Sequence, residues 1–534
     1  MAMTVRRAII CAMFAMAMLS LPLQVMIDSS IENIESVCLV LASSLIMLLY
    51  ISCSDALKTR PLSTFAIFGF CVTSQLGALL VQTAEWTALR SSLYDPVYTF
   101  GTLALYQSIA IAVHVCYRFF SAPKPAGVQI FRGLLDWAGL YRTPRCEALW
   151  FIGCIGLTSY VVYIKESILL SPLGKFGMAF NFLAWAPFLI PFYRREIGET
   201  YCYWKLNRML LIVYAVILVG LGLALNTRGV MFFGVATIGL LYLIAGMRSN
   251  SVATWRSLGT AGALAVIVVV LAGPISDLVT AMAIARGLGR VPVSAKIERT
   301  FQVWQRPDLI AAYRAAQAAA LIHKAYDEHY IENPILARFV LTKFHDNSLH
   351  FADRISTDDA EARLQDVSEK FFWAVLPAPV LSFVGVNVTK VDLDYSIGDY
   401  LPYLSGGGPL GGHRVGSMLG QGIALFGVLF PFVYAGICLG LFGLMDLLTV
   451  RGATGVATIS ALGMLQIFNY FINGLWYEGL HVVFYFFVRN FEQTALIYAI
   501  VFGFARRMLR VRQLPLAVSN VPTWRSPREL SASP

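Results

Sequence analysis

Asn333-Pro-Ile-Leu-Ala-Arg338-Phe-Val-Leu-Thr-Lys343-Phe-His345-Asp346-Asn347-Ser-Leu-His350 sits in a break, about 285–414, in an otherwise oily chain of 534 residues. Five of the seven histidines, His323, His329, His345, His350 and His413, fall in this break. Its reading decides the fold, because the sequence on both sides consists of long apolar runs. With 57% hydrophobic residues, 13% charged residues and a mean hydropathy of +0.67, the composition does not describe a water-soluble domain. It describes an all-α polytopic integral membrane protein.

In hydrocarbon the backbone has to satisfy its own hydrogen bonds, so a helical span takes about 20 mostly apolar residues. Twelve runs meet that demand, near 8–27, 34–53, 62–83, 97–117, 148–168, 176–193, 209–226, 229–247, 258–282, 418–446, 454–476 and 491–506. None alternates over about 10 residues as a barrel strand would. The runs divide the chain into an N-terminal bundle of nine spans over 1–284, a large extracytoplasmic helical loop over 285–414, three spans over 415–512, and a cytoplasmic tail over 513–534.

Charge sets the orientation. With both termini cytoplasmic, 22 of the 41 Lys and Arg residues fall on the cytoplasmic side, among them Arg6, Arg7, Lys58, Arg60, Arg118, Arg132 and the tail from Arg506 to Arg528. The short outer loops hold five: Arg90, Lys165, Lys175, Arg228 and Arg489. This is the positive-inside pattern, and it accounts for most of the net charge of +10 without a nucleic-acid partner. From Arg286 to Lys370 there are 12 basic and 12 acidic residues, the balance expected of a folded, solvated helical cap.

Phe371 to Val388 is apolar but carries Pro377 and Pro379. A crossing there would invert every later span and turn the Arg506–Arg512 cluster outward, so the segment near 371–388 reads as re-entrant or interfacial. Val128 to Tyr141 reads as an interfacial helix. All nine cysteines lie in spans or on the cytoplasmic side; no disulfide is expected, and no cysteine nucleophile is available outside. The first apolar run lacks a small-x-small cleavage site and reads as a retained span.

The clustered histidines raise metal binding first. His323 and His329 are six apart and His345 and His350 five apart, whereas one helical face requires three or four, and no EF-hand or zincin pattern is present. No metal and no cofactor is expected. A Gly-x-Ser-x-Gly elbow and a P-loop are also missing. The outer face holds arginine instead: Arg228, Arg286, Arg290, Arg299, Arg306, Arg314, Arg338, Arg354, Arg363 and Arg414. Guanidinium is permanently charged and matches phosphate bidentately, so such a cluster at a membrane surface suits a lipid diphosphate.

Each feature has a plainer reading. Arg228 is placed to snorkel to headgroups, and salt bridges with the 12 acids occupy most loop arginines. His345-Asp346 equally fits a helix cap, with Asp346 or Asn347 starting a helix. The run Ser405-Gly-Gly-Gly-Pro-Leu-Gly-Gly-His413-Arg414 is either an anion cradle of exposed N–H groups or a hinge. Glu478, between Trp476-Tyr477 and His481, is a boundary acid among aromatic-belt residues.

The order of these features resembles bacterial polysaccharide polymerases of the Wzy type. The matching pieces are Asn226-Thr-Arg228-Gly, then Glu332-Asn-Pro-Ile-Leu-Ala-Arg338-Phe and Lys343-Phe-His345-Asp346-Asn347-Ser-Leu. Gly398-Asp-Tyr-Leu, Gly411-Gly-His413-Arg414-Val-Gly-Ser and Val488-Arg489-Asn490-Phe follow, before a basic tail. The resemblance implies a GT-C-like architecture in the bacterial inner membrane and metal-independent glycosyl transfer at its outer face. The donor would be a glycan on undecaprenyl diphosphate and the acceptor a lipid-linked repeat, with membrane lipid around them and a flippase and chain-length regulator as pathway partners. In that scheme His345, Asp346, Arg338 and His413 are the catalytic candidates. Arg228, Arg290, Arg299, Asn347, Arg354, Arg414, Glu478 and Arg489 are the substrate-binding candidates. A ligase of the O-antigen type differs only in acceptor. An exporter or flippase without catalysis would call for charged residues buried in spans, where His114 is the main titratable group in the sequence.

Overall fold

The structure is a computed structural model, and it describes residues 3–120, 126–163, 177–197, 204–225, 227–254, 273–285, 293–321, 330–331, 333, 336–355, 357–451, 456–475 and 477–509. Within them the chain is helical apart from one two-stranded antiparallel ribbon, Thr449–Arg451 against Ala457–Ile459, and an isolated bridge between Thr4 and Val252. Seven helices among the described residues are long and apolar enough to cross a membrane: Val5–Ile27, Ile31–Cys53, Pro61–Ala84, Pro96–Phe120, Trp204–Leu225, Gly229–Arg248 and Met418–Leu447. The chain is therefore an all-α protein built for several membrane passes.

Local sequence explains where these helices start. Thr4 and Ser30 cap the first two by accepting the Arg7 and Asn33 N–H groups, and Pro61 opens the third, where a missing N–H costs nothing. Two long helices carry π turns, at Val72–Leu76 and at Phe486–Asn490.

Seven of the twelve expected runs are these helices. Of the others, 148–168 and 258–282 lie partly outside the described residues, which hold the shorter apolar helices Cys146–Val161 and Gly273–Ala285. Residues 176–193 contain the tight 3-10 helix Asn181–Leu189 instead of a long α-helix. The run 454–476 begins in the ribbon and continues as two short helices, Ala461–Leu465 and Ile467–Asn473. Its apolar residues serve helix packing: Phe471 lies against Phe65 and Phe68, and Gly69 leaves room for the Phe471 backbone. The last run lengthens to 480–508, carried through the π turn.

Contacts between loops sort them onto two faces. Arg90 pairs with Asp28, the Asn333 N–H donates to the Glu85 carboxylate at 3.1 Å, and Gly416 packs on the Glu478 backbone. On the other face Arg6 donates to the Ser54 carbonyl at 3.1 Å, the Tyr141 hydroxyl to the Leu447 carbonyl at 2.6 Å, and Arg248 to the Ala457 carbonyl.

The segment expected to be one solvated cap is two packing units. Helices Val293–Trp304 and Pro307–Leu321 pack on 273–285 through Ala281, Val303 and Ile310, with Arg314 bound to Asp277 at 2.7 Å. Residues 342–417 form the second, whose core is Phe351, Leu364, Val367, Phe371, Tyr400 and Leu401. Phe371 to Val388 does not form one helix: Asp358–Ala374 ends before Pro377, and the seven-residue helix Ala378–Val384 exposes Phe383.

One cysteine departs from the sequence reading. Cys146 is disulfide-bonded, whereas no disulfide was expected, and the seven other described cysteines are free. Spacing along the chain does not disclose which thiols meet in space.

Candidate anion-binding site

The helix Thr342–Asp353 is polar in sequence and buried in place. Thr342, Lys343, His345, Asp346, Asn347 and Ser348 are each at most 3% exposed. Its seat is the π turn of the Pro61–Ala84 helix. Where the helix widens, the Thr73 and Ser74 carbonyls turn to new partners, accepting the Leu341 N–H at 2.7 Å and the Thr342 hydroxyl at 2.7 Å. On another side Gly420 allows close approach; a Cβ there would lie 2.6 Å from the Ser348 carbonyl.

His345 is held at both ring nitrogens, Nε2 to the Ser74 hydroxyl at 3.1 Å and Nδ1 to the Ser417 hydroxyl at 2.8 Å. Ser417 is also the cap of the Met418–Leu447 helix. Burial pushes the His345 pKa down to about 3, so the imidazole is neutral. Asp346 does cap a helix, but a distant one. Its carboxylate accepts the Tyr94 N–H at 2.9 Å, the Asp95 N–H at 3.2 Å, the Thr99 hydroxyl at 3.1 Å and the Lys343 ammonium at 3.0 Å, which places a negative charge at the start of Pro96–Phe120.

The same helix supplies the groups that reach toward solvent. The Tyr94 ring takes the Lys343 ammonium at 4.4 Å and stacks on the half-buried His350 imidazole, centroids 3.9 Å apart. Arg354, exposed at the end of the helix, and Arg414 both lie close enough to Tyr94 to act on its phenol electrostatically. Burial, then the Arg354 cation, hold the His350 pKa below its ordinary value.

Arg414 is placed by a buried carboxylate. Asp399, wholly buried, accepts the His413 N–H at 2.7 Å and the Arg414 N–H at 3.2 Å, and its Oδ1 lies 3.8 Å from the Arg414 Nε. The glycine run folds back onto it through Gly406 and Gly411 at positive φ, and His413 shares that conformation at +48°. Arg354 and Arg414 thus bring positive charge to bear on Tyr94 beside a glycine-rich turn, with Lys343 already paired to Asp346, an arrangement suited to a ligand with two or more negative charges.

The remaining expected residues are dispersed. His413 is exposed, 3.7 Å from Asp394. Asn347 is buried with neither amide atom hydrogen-bonded among the described residues. Glu478 is exposed, next to Tyr477, whose φ is +34°. Arg489 is exposed in the second π turn, its guanidinium 5.8 Å from the Tyr485 ring, and Arg299 is exposed on Val293–Trp304. Arg228 opens its helix and Arg338 lies in the turn Leu336–Phe339, but their side chains, like all of Arg290, fall outside the described residues. No three His, Cys, Asp or Glu side chains among the described residues are grouped to hold a metal.

Sequence reasoning did not select Tyr94 or His350. The only local signal for Tyr94 is its place before Asp95-Pro96, where a span begins. Compared with known protein families, with curated proteins and with solved structures, the chain matches none.

Proposed function

We propose that this chain is a glycosyltransferase that polymerises lipid-linked oligosaccharide repeats at the outer face of the bacterial inner membrane, within a multi-span, GT-C-like architecture. The observation that supports the reading is that the charges of Arg354 and Arg414 both act on Tyr94, beside a glycine-rich turn. In the reaction the bond from the anomeric carbon to the diphosphate oxygen breaks and a bond to the acceptor hydroxyl oxygen forms. Negative charge develops on undecaprenyl diphosphate, and fixed cations stabilise it; loss of one such donor typically costs about 3 kcal/mol.

Arg354 and Arg414 are the diphosphate ligands in this scheme, with Arg228, Arg290, Arg299, Arg338 and Arg489 as further cations of the outer surface. His350 takes the acceptor proton, because its imidazole is neutral and half-buried beside those cations. His345 and Asp346 are positioning residues, supported by their complete burial. The test is elongation by purified protein of an undecaprenyl-diphosphate oligosaccharide in the presence of EDTA. Product ladders are expected; transfer to a different acceptor class alone would favour the ligase, and no transfer at all would end the enzymatic reading.

A specific observation favours one rival. Asp446 and Arg60 join His114 in a buried polar group between helices, the feature expected of an exporter or flippase. Movement of lipid-linked glycan across vesicles without elongation would select it.

A further inference from the structure

Tyr50, His114, Ser63 and Asp446 come from four different helices and form one continuous hydrogen-bonded line. The Tyr50 hydroxyl lies 2.6 Å from His114 Nδ1, His114 Nε2 lies 2.8 Å from the Ser63 hydroxyl, and that hydroxyl lies 2.9 Å from Asp446 Oδ2. His114, Ser63 and Asp446 are at most 2% exposed, and Tyr50 is half-buried. The charged and titratable neighbours are Arg60, 3.6 Å from Asp446 and 4.7 Å from the Tyr117 ring, Tyr117 itself, and Arg118 beside Tyr50.

Proton counting along the line gives two complete patterns. With Asp446 ionised, Tyr50 donates to Nδ1, Nε2–H donates to Ser63, and Ser63 donates to the carboxylate. With one more proton every bond reverses: the Asp446 acid donates to Ser63, Ser63 to Nε2, and Nδ1–H to the Tyr50 oxygen. No bond is lost in either pattern, so the line stores a proton without stranding a buried polar atom.

We propose that Asp446 is a proton-binding site loaded from the Tyr50 end. A solvent proton binds the Tyr50 oxygen as Tyr50 passes its own to Nδ1, His114 passes Nε2–H to Ser63, and Ser63 passes its proton to Asp446 Oδ2. One proton enters; Tyr50, His114 and Ser63 end with their neutral complement, and the carboxylate becomes a carboxylic acid. Arg60 then loses the counter-ion that joins Pro61–Ala84 to Met418–Leu447. The same two helices hold His345, through Ser74 midway along the first and Ser417 at the start of the second, so proton occupancy bears on the site beyond.

Infrared difference spectroscopy of the full chain in lipid nanodiscs tests this. Acidification of the folded protein is expected to produce a carboxylic-acid carbonyl band that is absent in Asp446→Asn and shifted in Asp446→Glu, which keeps the acid should the asparagine variant fail to fold. After a pH jump the band should rise about 10²-fold more slowly in Ser63→Ala, where the relay is cut. A missing band in the wild type, or one unchanged in both Asp446 variants, overturns the site. A wild-type rise in Ser63→Ala overturns the relay, because the proton then reaches Asp446 by another way.

Discussion

Asp346 accepts the backbone N–H of Tyr94, 252 positions away, at 2.9 Å, so a carboxylate of the buried polar helix caps the membrane-crossing helix Pro96–Phe120. Lys343 shares the carboxylate at 3.0 Å and is itself 1% exposed. Asp346→Asn therefore removes a cap and leaves a buried ammonium without its counter-ion, a loss of about 3–5 kcal/mol. Unfolding in detergent should register it. Lys343→Met combined with Asp346→Leu should be less damaging than Asp346→Asn alone, and a double variant worse than the single would contradict this account.

Acid should weaken the fold through His345. Its pKa is about 3 in the buried site against 6.5 for an ordinary imidazole, so the unfolded chain takes up the proton first. The stabilisation is complete above pH 6.5 and is lost as pH falls from 6.5 toward about 3, by about 1.4 kcal/mol per unit. The slope of stability against pH should flatten in His345→Gln; an equal slope in the variant would assign the acid sensitivity elsewhere.

Arg354→Gln and Arg414→Gln are each expected to lower elongation about 10²–10³-fold, as loss of a charge-stabilising donor does in other enzymes. Arg354 is exposed, so its variant should melt with the wild type. Unchanged elongation in both would remove the diphosphate assignment.

His350→Phe preserves a ring to stack on Tyr94 and removes the proton acceptor. Turnover should fall about 10²–10⁴-fold with little change in KM. In the wild type the rate should decline on acidification only below the ordinary imidazole range, since the His350 pKa is lowered. A profile that falls at or above pH 6.5 would point to another base.

Cys146 should resist alkylation in denatured protein until a reductant is added, while Cys11, Cys38 and Cys116 react at once. Mass spectrometry of the labelled peptides decides it, and free Cys146 without reductant would be the contrary result.

The spans were legible because a run of about 20 apolar residues carries its own solution to backbone hydrogen bonding. Ala461–Asn473 was not separable from them, since packing against Phe65 and Phe68 selects the same residue types as lipid does. Charge balance in 286–370 did not tell solvated charges from the Lys343–Asp346 pair folded inside. The spacing of His345 and His350 spoke against a shared metal face without disclosing Ser74, Ser417 or Tyr94, which are remote in the chain. Arg354 and Arg414 were within reach of sequence reasoning as outer cations; their convergence on Tyr94 was not, because it depends on where Asp399 ties down the glycine run.

The Met418–Leu447 helix is anchored by Ser417 at one end and Asp446 at the other, yet it is broken between them. Gly427 takes φ +50°, residues Gly427–Leu429 form a single 3-10 turn, and none of the three is buried. The span is thereby two helical arms, Met418–Phe426 and Phe430–Leu447, joined at Gly427. The short arm meets His345 through Ser417 and the longer arm meets Ser63 through Asp446, so one apolar run supplies a polar anchor to each of two buried sites.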